Sequence, residues 1–304
     1  MRSHRIAWRT RIKAAQSHGR PKSFGEIASG KHGADQILNL QLHPATLVVV
    51  TRLKIIIDFQ DHILSITMNR PLKKNALTAA MYSTMAEALE MAETDMSVRV
   101  IIFQGVDGIF TSGNDLADFL GNPVRGTDTP VSRFLFALAR STVPMIAAVD
   151  GPAVGIGTTM LLHCDMVIAA DTSLFMMPFT NLGLLPENGS SYLLPKIMGH
   201  TKASELILTG RAFTAEEALS YGVINEVCKA DELVTITAKW AALLASKPPS
   251  AMRKSKALMK TDMPVVIDRI RIEMEQFSEA LVSPEAKEAL TAFMEKRPPD
   301  FSKF

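Results

Sequence analysis

The chain of 304 residues has only two cysteines, Cys164 and Cys228. A disulfide scaffold is excluded, because bridges of that kind hold together small secreted domains that cannot bury an adequate core. Their spacing matches no metal signature either, so both read as reduced, buried thiols. Charge of one sign is also scarce: the formal net charge is +2, too little to make nucleic acid or an anionic membrane the main partner. Apolar runs, such as residues 98–103, are of strand length, far short of the roughly 18 residues that cross a bilayer. These absences leave a soluble globular protein. Hydrophobic residues at 47% and charged residues at 21% fit that class, and 17 methionines suit adaptable apolar walls as well as an ordinary core.

The first fifty residues differ from the rest. Arg2, Arg5, Arg9, Arg11, Lys13, Arg20 and Lys22 sit among small and polar residues, with almost no acid before Asp35. The expectation is a basic, disordered extension over 1–50, with a transit peptide as the other reading of this bias. No apolar stretch of a secretory signal follows the basic residues.

From about residue 53 the pattern becomes regular. Residues 53–59 and 63–68 read as strands around the turn Gln60-Asp61-His62. Thr78 reads as the N-cap of a helix, with Met81, Met85, Ala88, Leu89 and Ala92 at helical spacing. A strand over 98–104, a helix over 131–140, a strand after Pro144, a short apolar helix over 155–163 and a strand over 166–170 continue the alternation. Strands alternating with helices predict an α/β architecture. Thr214 and Glu217 have capping-box spacing. Beyond Glu232 only helical patterns occur, up to Pro298-Pro299. The expected organisation is a core over 51–245 and a helical region over 246–304.

Two loops join a strand to a short helix through small residues: Phe110-Thr111-Ser112-Gly113-Asn114-Asp115-Leu116 and Gly151-Pro152-Ala153-Val154-Gly155-Ile156-Gly157. Such turns let backbone amides approach a ligand and leave the first helical N–H groups unpaired, ready to receive negative charge. Facing one cleft, the two loops would form an oxyanion hole; separately, each merely turns the chain. A third segment, 179–191, sets the carboxylate of Glu187 among apolar residues and turn formers. Desolvation there would raise its proton affinity toward the range of a general base near neutrality, the alternative being a solvated loop acid or one paired with a helix dipole. Asp115 reads as a helix cap, and His163 and Asp165 as structural residues where helix leads into strand.

Taken in order, Asn69-Arg70-Pro71, Lys74-Asn75-Ala76, Ser112-Gly113-Asn114-Asp115-Leu116, Gly151-Pro152-Ala153-Val154-Gly155, Leu182-Gly183 with Pro186-Glu187, Ser190-Ser191-Tyr192 and Pro195-Lys196-Ile197-Met198 resemble the enoyl-CoA hydratase/isomerase (crotonase) family over roughly residues 53–302. Within it the resemblance is to peroxisomal-type Δ3,Δ2-enoyl-CoA isomerases. It implies a crotonase spiral of β-β-α units followed by C-terminal helices that pack into trimers or pairs of trimers. It also implies an acyl-CoA substrate, used without a separate cofactor.

Carried over residue by residue, the resemblance puts the oxyanion hole on the amides of Asn114 and Ile156. The substrate and CoA contacts fall on Lys73, Lys74, Ala76, Ser112, Gly113, Asp115, Leu116, Gly155 and Phe179. Apolar walls would come from Leu116, Phe119, Met176 and Phe179, residues that equally suit plain core packing. The family's hydratases use two glutamates, whose positions here hold Thr159 and Phe179. Neither can relay a proton, so the resemblance implies an isomerase with Glu187 as its single base. The alternatives are another crotonase-type reaction on an acyl-CoA, hydration or thioester hydrolysis, and a non-catalytic CoA-binding interaction module. The expected location is the cytoplasm of a bacterium, with mitochondrion or peroxisome as alternatives; the ending Ser302-Lys303-Phe304 is not the Ser-Lys-Leu peroxisomal signal.

Overall fold

Asp61 and His62 have φ of 48° and 68°, the left-handed pair that a two-residue hairpin turn requires, and they join strands β1 (Ile55–Gln60) and β2 (Ile63–Met68). The computed structural model describes residues 53–115, 118 and 129–304. The basic segment 1–50, Leu116 and Phe119 lie outside them. Strands β3 (Val100–Gln104), β4 (Met145–Val149), β6 (Met166–Ala170) and β9 (Glu226–Cys228) complete a six-stranded sheet in the order β1-β2-β3-β4-β6-β9. Within this sheet β1–β2 is the one antiparallel pairing among the described residues. A second sheet of three short strands, β5 (Pro152–Val154), β7 (Leu174–Met176) and β8 (Ala212–Thr214), has the order β5-β7-β8. Successive units thus send one strand to each sheet: β4 then β5, β6 then β7. The three-residue strands were not expected from the sequence, because so short a segment shows no period-2 alternation.

The near-continuous apolar run of β3 follows from burial on both faces. Ile101 and Phe103 join the main core cluster, whereas Val100 and Ile102 join a second cluster on the opposite face. Helix α1 (Ala79–Thr94), N-capped by Thr78 as its sequence predicts, packs with α2 (Pro130–Arg140) on the main core. Tyr82 of α1 lies 5.5 Å from Phe134 of α2, ring centre to ring centre. Each large side chain buried this fully contributes about 1.5–3 kcal/mol. Helix α3 (Ile156–Thr159) continues into a 3₁₀ turn over Met160–His163. Then follow α4 (Ser190–Met198), α5 (His200–Thr209) and α6 (Ala215–Ser220), the last opened by the Thr214–Glu217 capping box.

The remaining helices are α7 (Leu233–Ala245), α8 (Pro249–Met259), α9 (Met263–Leu281) and α10 (Pro284–Glu295). Helix α7 covers the second cluster through Leu233, Ala241 and Ala245, and α9 brings Val266, Ile270 and Phe277 to the main core. Residues Lys54–Phe304 form one compact unit. Lys256 of α8 is a buried tie to the sheet, donating to the Val143 carbonyl at 2.7 Å and pairing with Asp165 at 2.6 Å. No helix among the described residues is long and apolar enough to cross a membrane.

Candidate active site

The two glycine loops lie side by side. The Thr111 N–H donates to the Pro152 carbonyl at 3.1 Å, and the Val154 N–H to the Thr111 carbonyl at 3.0 Å. Gly113 has φ +89°, and a Cβ there would meet the Val154 carbonyl oxygen at 2.9 Å, so close approach and backbone conformation both require glycine. On its other side the first loop forms a one-residue parallel bridge with Leu77: the Leu77 N–H donates to the Gly113 carbonyl and the Asp115 N–H to the Leu77 carbonyl. In that register the N–H of the intervening Asn114 points away from Leu77. Gly155, with φ 57°, turns the second loop into α3, whose first residue is Ile156; its N–H is one of the orphan donors of a helix start.

The surrounding turn is held by Asn75. Its side chain accepts the Arg70 N–H and donates to the Val106 and Ile109 carbonyls, while its carbonyl accepts the Thr111 hydroxyl. Lys73 and Lys74 are exposed beside it, and the Lys74 carbonyl accepts the Ser112 N–H. Ala76 offers its carbonyl to Arg70, whose guanidinium also pairs with Asp115. Asp115 accepts the Asp118 N–H at 3.1 Å, the three-residue reach of an N-cap. Lys73, Lys74, Ala76, Ser112, Gly113, Asn114 and Asp115 thus form one continuous patch. Leu116 is outside the described residues.

Glu187 is buried, 6% exposed, and its Oε1 has no hydrogen-bond partner among the described residues. Burial pushes its carboxyl up to about 8, and the negative charge of Glu273 pushes in the same direction. Glu187 in turn helps hold the buried Tyr82 phenol far above its usual range, after burial itself, which places the two groups within electrostatic reach. Tyr82 donates its hydroxyl to the Asn114 side chain at 2.5 Å. One phenol is therefore bonded to the first loop and lies within electrostatic reach of the carboxylate. Phe179 is buried, and its carbonyl accepts the Leu182 and Leu184 N–H groups.

The residue after Glu187 is fixed by His163, whose Nε2 lies 2.8 Å from the Asn188 carbonyl. Burial, then the charge of Lys260, pushes this imidazole down to about 3, so it is neutral and donates from Nε2. Among the described residues, the buried Ser190 Oγ, three residues after Glu187, and Thr159 Oγ1 of α3 also lack partners. Tyr82 and Glu273 escaped the sequence reading. Tyr82 looks like one more apolar residue of the α1 stripe, but Glu273 left a sign, an acid among Ile270, Met274 and Phe277 on the buried face of α9.

Residues 58–303 match the family described as "Enoyl-CoA hydratase/isomerase". The chain is 39% identical over 241 residues to "Enoyl-CoA delta isomerase 3, peroxisomal" of Mus musculus, covering 77% of this chain and 72% of that protein. It is 30% identical over 250 residues to "2,3-dehydroadipyl-CoA hydratase" of Escherichia coli (strain K12), covering 82% and 98% respectively. A solved enoyl-CoA hydratase/isomerase from Pseudoalteromonas atlantica T6c superposes with a TM-score of 0.79 at 41% identity, covering 82% of this chain and 100% of that one. Its two interleaved sheets and terminal helices are those of the crotonase fold, and the chain belongs to the enoyl-CoA hydratase/isomerase (crotonase) family.

Proposed function

We propose that this crotonase-family enzyme is an enoyl-CoA isomerase that moves a 3-enoyl-CoA double bond to the 2-position, with Glu187 as its only acid–base group. The observation that carries the reading is a buried carboxylate whose Oε1 has no partner among the described residues and whose proton affinity is raised to about 8, while the two positions matching the glutamates of the family's hydratases hold Thr159 and Phe179. A base tuned this way suits abstraction of a proton beside a thioester carbonyl. The Glu187 carboxylate would take a C2 proton, and the electrons would move onto the carbonyl oxygen as a dienolate. The amides of Asn114 and Ile156 would stabilise that oxyanion, and the Glu187 acid would return the proton at C4. No atom is gained or lost overall. The patch from Lys73 to Asp115 would receive the CoA portion, with Gly155 and Phe179 nearer the acyl group. Exposed Phe293 and Met294 of α10 suit burial between copies of the chain in a homotrimer or pair of trimers.

The experiment is Glu187→Gln assayed on a panel of 3-enoyl-CoA substrates. Isomerisation should fall by at least about 10³-fold while CoA-ester binding is retained; retained turnover would refute the assignment. In the wild type, kcat/KM should rise with pH toward a plateau above about 8, as the carboxyl ionises in the free enzyme. A second reading, hydration, is favoured by the Ser190 hydroxyl, buried near Glu187 in sequence and without a partner among the described residues, which could hold a water. Product mass separates the two, unchanged for isomerisation and heavier by one water for hydration.

A further inference from the structure

We infer that Glu273 is a positioning residue for Glu187: from helix α9 it clamps the exit of the Glu187 loop by three hydrogen bonds and brings a second carboxyl within electrostatic reach of the base. The inference rests on Glu187 being the base, as proposed above. Helix α4 begins at Gly189 with no side-chain cap of its own. Its unpaired donors are taken instead by Glu273, whose Oε2 accepts the Gly189 N–H at 2.6 Å and whose Oε1 accepts the Ser191 N–H at 3.0 Å and the Ser191 hydroxyl at 2.5 Å. All three donors lie within four residues of Glu187, and Glu273 is itself only 5% exposed.

Burial pushes the Glu273 carboxyl up, while the hydrogen bonds from Ser191 and Gly189 work against burial and favour its charged form. Arg269, on the same helix, favours that charge as well. A fixed anion near a second buried carboxyl makes the latter harder to ionise and thus a stronger base once ionised. The other titratable groups facing this region are Tyr82 from α1, neutral when buried, and His163, also neutral, on the Asn188 carbonyl with Lys260 and Lys256 beyond it. Among these groups Glu273 is the acidic neighbour that raises the proton affinity of Glu187.

The consequence is that geometry and basicity of the Glu187 loop are set by one residue of the C-terminal helices. Glu273→Gln removes the charge but keeps an acceptor for two of the donors; Ser191→Ala keeps the charge and removes one hydrogen bond. Carboxyl carbon NMR on the substrate-free protein reads the Glu187 titration in each. With Glu273→Gln its midpoint should fall by about half a unit or more, and the acid limb of kcat/KM should move by the same amount. With Ser191→Ala the midpoint should not fall, while kcat drops several-fold, roughly 3- to 10-fold, from a looser loop.

In the wild type the signals of the two carboxyls should titrate in coupled steps, each showing an inflection at the other's midpoint. An uncoupled wild-type titration overturns the inference whether or not a variant folds, as does an unmoved midpoint in Glu273→Gln. Should the wild type turn over no enoyl-CoA, the proposed reaction fails, while the NMR titration still decides the role of Glu273.

Discussion

Glu187 should make the protein less stable as pH rises, and Glu187→Gln should reverse that loss while abolishing activity. The folded state holds this proton to about 8, against 4.5 for an unperturbed glutamate. Below 4.5 both states are protonated and the carboxyl is neutral to folding. Between 4.5 and 8 the unfolded chain ionises while the folded chain retains the proton, so stability falls with pH. Above 8 the folded carboxyl ionises too, and the deficit levels off near 5 kcal/mol, at about 1.4 kcal/mol for each pH unit separating the two values. A glutamine cannot ionise, so its advantage over the wild type should grow by about 4 kcal/mol between pH 5 and pH 9, any constant packing offset cancelling in the comparison. For a domain of this size that corresponds to about 8–16 °C of relative shift in Tm. Urea unfolding of both proteins at pH 5, 7 and 9 and equal concentration measures it. A difference that stays constant within about 1 kcal/mol would mean that Glu187 is solvated or paired in the folded protein, and the base assignment would lose its physical ground.

Lys256→Ala should cost about 3–5 kcal/mol in an unfolding titration, because it strips a buried ammonium from Asp165 and the Val143 carbonyl and leaves the carboxylate without its counter-charge. Gly113→Ala, at φ +89° and 2.9 Å from the Val154 oxygen, should destabilise by about 1–3 kcal/mol. Its kcat/KM should fall by more than about 10-fold, because the Asn114 amide follows the displaced backbone. Tyr82→Phe removes the donor to the Asn114 side chain; a loss of about 1–3 kcal/mol is expected in the unfolding free energy, with a weaker isomerase rate measured beside it.

What could be read along the chain was whatever rests on local rules. The Thr78 and Thr214 caps, the apolar stripe of α1 and the apolar run of β3 all show as patterns within a few residues, and the structure places them as their sequence predicts. The second sheet was invisible because its strands have three residues each and pair across the fold. The candidate site divides the same way. Glu187 and the two loops stand out as motifs, but what holds them comes from afar: Tyr82 reaches Asn114 across 32 positions, His163 reaches Asn188 across 25, and Glu273 reaches Gly189 across 84.

No window along the sequence spans such distances, yet one general sign remains. An acid on the buried stripe of an amphipathic helix would cost several kcal/mol if left unpaired, so its presence there already implies donors on the facing element. Helix α9 carries Glu273 in that position, and the facing donors prove to be the backbone at the end of the Glu187 loop. The cost of burying one carboxylate is thereby tied to the geometry of another, and for that reason substitutions on α9 should register in the pH dependence of Glu187 before they register in the fold.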